Sequence, residues 1–189
     1  DDFSNDMRNS KYNVVRDAYY DLPTSKYYGK SIIAPETKSK LLEEQSWRWY
    51  PWPTKITTPG EHPEALYADP ALKTLKSTAG ATYLDQYMLR LAETYLLRAE
   101  AFLMKGDKEK AANDINEVRN RAHTSEVVAS EVTIDYILDE RARELVYEEF
   151  RRITLGRLGK YVERVRKYNT LNGPRVEDYH ELFPIPYSA

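Results

Sequence analysis

Glu140, Glu144 and Glu148 stand four residues apart, which puts three carboxylates on one face of any helix that carries them. Paired carboxylates are what glycosidic hydrolysis needs, one acid to protonate the leaving group and a second to attack or to activate water. On a single helix, successive turns place them about 6 Å apart and pointing the same way. They cannot flank a bond from opposite sides without a partner from elsewhere. Arg141, Arg143, Arg151 and Arg152 lie along the same stretch, so the pairs Glu144–Arg141 and Glu148 with Arg151 or Arg152 are feasible. The expectation is a structural ion-pair network of Glu140, Arg141, Glu144, Glu148 and Arg151, with no catalytic residue.

A second cluster is aromatic. All three tryptophans fall in WRWYPWP, Trp47 to Pro53. Pro51 and Pro53 exclude a helix interior and push Tyr50 and Trp52 toward extended backbone. Side chains then alternate, with Trp47 and Trp49 on one face and Arg48, Tyr50 and Trp52 on the other. The first face is expected to be largely core and the second to offer exposed rings. The ligand-binding candidates are Trp52, Tyr50, Trp49, Trp47 and Arg48.

Other chemistry finds little support. His62, His123 and His180 are far apart and none has a ligand-spaced partner, so no metal site is expected. No glycine-rich phosphate loop is present, since GRLGK lacks a preceding strand, and no serine sits in a nucleophile elbow. No cofactor and no enzymatic activity are expected. The chain has 189 residues, a net charge of −2 and 31% charged residues, which gives no reason to expect nucleic acid or an anionic membrane surface as partner. With no cysteine, disulfides and thiol chemistry are excluded for this segment. No apolar run approaches the ~18 residues of a transmembrane helix. The sequence begins at Asp1 without a methionine, so any export or lipidation signal is expected upstream.

The elements that must position these residues change character near Tyr83. Before it, ten prolines and glycines between Pro23 and Gly80 leave turns and short strands. Asn13–Asp21 and Lys30–Pro35 read as short extended pieces, and SKLLEEQSW as a helical turn or two. After it, Leu84, Met88, Leu91, Tyr95, Ala99 and Phe102 form one stripe of an amphipathic helix over about 83–105. Gly106 stops it, and Asp107 caps a second helix with Ala111, Ile115, Val118 and Ala122 on one face. Ser125–Thr133 reads as a loop or short strand. Thr133 caps a third helix from about Ile134 to Phe150, its inward stripe Ile134, Ile137, Leu138, Arg141 and Leu145. A fourth, basic helix is expected over about Arg151–Tyr168, loosened by Gly156 and Gly159, followed by a turn at Asn172–Pro174. The expected fold is mainly α. It comprises a tetratricopeptide-like helical hairpin plus further helices after a loop-rich N-terminal segment (1–82) containing short strands or turns. Segment 83–189 continues the same domain.

Three separated motifs, LRLAETYLLRAEAFLMKGDKEKAANDINEVRNRA, ILDERARELVYEEFRRITLGRLG and the terminal LFPIP, occur in the order and spacing of the SusD/RagB family. The chain resembles the C-terminal portion of these proteins, most strongly over Tyr83–Pro186. Glu140, Arg141, Glu144, Leu145, Glu148, Arg151, Leu155 and Arg157 match the family's signature helix, where they hold the fold. Glu149 replaces a usual glycine and Thr154 a usual aspartate. The resemblance implies a nutrient-binding lipoprotein on the outer surface of Bacteroidetes. It would bind oligosaccharide or another nutrient, be anchored through an N-terminal lipid outside this sequence, and pass its ligand to a TonB-dependent transporter. The alternative is a tetratricopeptide-type docking module with no ligand of its own.

Overall fold

The computed structural model describes residues 5–37, 51–55, 62–80 and 85–185. The chain divides into two compact units, Asp1–Val146 and Tyr147–Ala189.

The first unit opens with loops and short strands, as the prolines and glycines require. Asp6 caps a single 3₁₀ turn, Met7–Asn9, by accepting from the Arg8 N–H at 2.9 Å. Strand β1 (Val14–Val15) pairs antiparallel with β2 (Trp52–Pro53) in the register Val14↔Pro53 and Val15↔Trp52. A lone antiparallel bridge joins Tyr19 to Ser31. Strands β3 (Tyr67–Asp69) and β4 (Thr74–Leu75) form a hairpin whose turn holds Lys73 at φ 52°. Both expected extended pieces thus contain paired backbone. SKLLEEQSW lies outside the described residues.

The core of this unit is helical. Helix α1 (Leu91–Met104) and helix α2 (Lys108–Arg121) form a hairpin, turning at Gly106, whose φ of 79° is the left-handed geometry a helix stop uses. Asp107 caps α2 by accepting from the Lys110 N–H. The periodic positions on α2, Ala111, Ile115, Val118 and Ala122, are all at most 2% exposed. Ala111, Ile115 and Val118 pack with Leu96 and Ala99 of α1 and Ile137 of helix α3 (Ile134–Glu144), which Thr133 caps at the Tyr136 N–H. Small residues at 99, 111 and 112 bring the hairpin helices close, and the branched residues fill the space between them.

Two helix boundaries differ from expectation. The first helix starts at Leu91, not near Tyr83: residues 85–90 are not helical, and Arg90 is extended at φ −143°. Met88 is 89% exposed, so an apolar period there finds no surface to pack on. The third helix stops at Glu144, not Phe150, and the chain turns through Tyr147 at φ 66°. Helix-compatible spacing continued past the point where packing did.

In the second unit the expected fourth helix is two, α4 (Arg151–Arg157) and α5 (Tyr161–Tyr168), divided at Gly159 with φ 62°. The α5 N-terminus is capped from a distance: Glu181 accepts from the Tyr161 and Val162 N–H groups at 3.0 and 2.9 Å. The turn at Asn172–Pro174 becomes a 3₁₀ turn, and Gly173 packs so near α5 that a Cβ would meet the Val165 and Arg166 carbonyls at 3.0 Å. Arg152 stacks on Tyr161 and Phe183, with its guanidinium 3.5 and 4.7 Å from the ring centroids, and donates to the His180 and Leu182 carbonyls. The two residues that depart from the SusD/RagB pattern meet each other, the Thr154 hydroxyl donating to Glu149 at 3.0 Å.

Candidate functional site

Glu140 and Glu144 both project from α3 into the first unit, with side chains fully buried. The guanidinium of Arg8 bridges them, donating to Glu140 at 2.7 Å and to Glu144 at 2.9 Å. The second Glu140 oxygen accepts from Arg119 at 2.9 Å and from Arg143 at 2.7 Å. Glu144 also takes Arg121, at 2.7 and 2.8 Å to its two oxygens, and Arg90 at 2.6 Å. Arg8 in turn holds Asp6 at 2.5 Å. Burial works against the charged form of Asp6, but hydrogen bonds from the Arg8 side chain and backbone N–H outweigh it and hold the carboxyl below the usual range. Burial likewise opposes the charge on Arg8, and Asp6 and Glu140 more than offset it, so its pKa is raised.

This arrangement binds segments together. It joins the N-terminal turn, the start of α1, the end of α2 and α3, and the Met7 N–H adds a bond to the Ala122 carbonyl at 3.0 Å. All four oxygens of Glu140 and Glu144 accept from guanidinium, leaving them little capacity to act on a substrate. The partners differ from those the sequence suggested. Within α3, Arg143 pairs with Glu140, and Arg141 reaches Glu93 of α1 at 3.1 Å. Glu148 and Arg151 lie beyond the end of α3, and Arg151 pairs with Glu149 at 3.1 Å. Sequence reasoning missed Asp6, Arg8, Arg90, Arg119 and Arg121 as members. Arg8 lies 132 and 136 residues from the glutamates it serves, a distance at which spacing carries no signal.

Of the aromatic candidates, Trp47, Arg48, Trp49 and Tyr50 lie outside the described residues. The backbone of Trp52 is extended and paired with Val15. Two residues beyond the strand, the Lys55 ammonium donates to the Glu144 main-chain carbonyl at 2.5 Å, where Arg90 also donates at 2.6 Å. The contact of this segment with the end of α3 is made by Lys55, two residues after WRWYPWP.

A separate groove of about 400 Å³ runs along the α1–α2 hairpin between Tyr95 and Phe102 on one side and Lys110, Asn113 and Asp114 on the other. Arg98 clamps Asp114 with two hydrogen bonds of 2.8 and 2.7 Å. Its guanidinium lies 5.3 Å from the Tyr95 ring centroid and 6.0 Å from that of Phe102, and the Lys110 ammonium lies 5.5 Å from Phe102. The rings thus already have cations as neighbours. Among the described residues, no group of three or more His, Cys, Asp or Glu side chains is arranged to hold a metal ion.

The model of the SusD family matches residues 4–189. Over 121 residues, 60% of this chain and 21% of the relative, the sequence is 40% identical to the starch-binding protein SusD of Bacteroides thetaiotaomicron. The chain thus spans about a fifth of the length of that relative. No solved structure matches.

Proposed function

The chain belongs to the SusD family, and from that premise we propose that it serves a protein that binds carbohydrate. The observation that carries this reading is the 40% identity to a protein named for binding starch. The finer proposal is capture of an oligosaccharide or other nutrient at the surface of the outer membrane, by a lipoprotein that hands it to a TonB-dependent transporter. The rings of WRWYPWP supply the chemistry: aromatic faces stack on sugar C–H surfaces, Arg48 reaches hydroxyls, and several rings are needed for useful affinity. The filled coordination of Glu140 and Glu144 favours binding without cleavage.

Titration of the purified full-length protein with a panel of oligosaccharides, followed by tryptophan fluorescence and calorimetry, tests this. A saturable response lost in Trp52→Ala supports it. A flat response across starch-derived and other glycans refutes it, and bond cleavage that disappears in Glu144→Gln would replace it with hydrolysis. One observation favours the docking alternative: Met88 and Leu91, at the start of α1, are 89% and 66% exposed, apolar side chains that a protein partner could cover. Binding of the transporter without any glycan response would select that reading.

A further inference from the structure

The early end of α3 creates a seat. The last carbonyls of a helix have no partner within it and carry the negative end of its dipole. At Glu144 that end receives two cations, Arg90 from the start of α1 and Lys55 from the loop-rich segment. The Glu144 carboxylate is already taken by Arg8, Arg90 and Arg121, so Lys55 meets the main-chain oxygen. Lys55 follows a short strand by two residues. The Thr54 N–H donates to the Asn13 carbonyl at 3.0 Å, its hydroxyl to the Tyr12 carbonyl at 3.0 Å, and Trp52 pairs with Val15. A ladder of two residue pairs is weak by itself. An ammonium on that helix end ties the ladder to the residue whose carboxylate is held by Arg8, Arg90 and Arg121.

We propose that Lys55 is a positioning residue for carbohydrate binding: seated on the open carbonyl end of α3, it fixes the strand that carries Trp52. This rests on the functional reading above, and its test separates the two. In the full-length protein, Lys55→Met keeps the aliphatic stem and removes the charge, while Lys55→Arg keeps a donor. The readouts are amide hydrogen exchange at Trp52 and Thr54, the urea unfolding midpoint, and affinity for the oligosaccharide that the wild type binds best. Lys55→Met is expected to speed exchange at both amides by about tenfold and to weaken affinity by about tenfold, the scale of one charged hydrogen bond. The midpoint stays in place, because Lys55 is exposed and the core is untouched. Lys55→Arg restores both quantities. Unchanged exchange in Lys55→Met overturns the seating, and faster exchange with unchanged affinity overturns the positioning role. A wild type that binds no glycan sinks the functional reading and with it the positioning role, while the exchange rates still decide whether Lys55 holds the strand.

Discussion

Glu140 on α3 and Asp114 on α2 both meet arginine through short hydrogen bonds, in opposite surroundings. Glu140 is fully buried and takes guanidinium groups from three elements, among them Arg119 with a side chain only 2% exposed. Asp114 is also buried, but its partner Arg98 is 57% exposed and free to turn into water. The difference lies in what remains when one member is lost. Around Glu140, several cations would stay enclosed without their counter-charge, whereas at Asp114 solvent takes over.

That contrast can be broken by mutation. Glu140→Gln should have the largest effect, lowering the unfolding free energy by about 3–5 kcal/mol in urea denaturation, since Arg8, Arg119 and Arg143 lose a shared anion. A loss no greater than that of Arg98→Ala would mean the two sites are alike after all. Asp6→Asn should come next, milder because Arg8 keeps both glutamates. Its pH signature has a definite sign. The Asp6 carboxyl is held below its ordinary 3.8, so the folded protein binds fewer protons there than the unfolded chain. The stabilisation is complete above that value and is lost as pH falls through the folded-state pKa; in Asp6→Asn this acid-dependent loss should be reduced. Thr133→Ala, which removes the α3 cap beneath the cluster, should cost about 1 kcal/mol in the same assay. Arg98→Ala should cost less than about 1 kcal/mol, because loss of the exposed guanidinium opens the buried Asp114 to water, and it sharpens the comparison from its weak end.

Much of the fold was legible because it follows from local physics. The stripe Ala111, Ile115, Val118 and Ala122 is the buried face of α2, and Gly106, Asp107 and Thr133 punctuate the helices where turn geometry and capping place them. The failures were boundaries. Met88 keeps the helical period, yet α1 begins at Leu91; at Met88 the period ran on where no surface was there to be packed. Glu148 keeps the spacing of Glu140 and Glu144, yet α3 has already ended. At the candidate site, the sequence picked out the aromatic stretch and its extended geometry, which the Trp52 backbone has. It passed over Lys55, an exposed lysine without a motif, whose role appears only beside the end of a helix 89 residues away.

The sequence by itself determined the helical face of the hairpin, its caps and stops, the family and the three glutamates on one period. These depend on residues within a turn or two of each other. Tertiary structure alone decided where α1 begins and α3 ends, and which of the 28 lysines and arginines meet the glutamates. A charge accepts any opposite charge that geometry brings near, so partner choice leaves no mark in sequence spacing. It is settled when α1, α2, α3 and the N-terminal turn converge on one buried point, and only there does the carbonyl of Glu144 become a seat for Lys55.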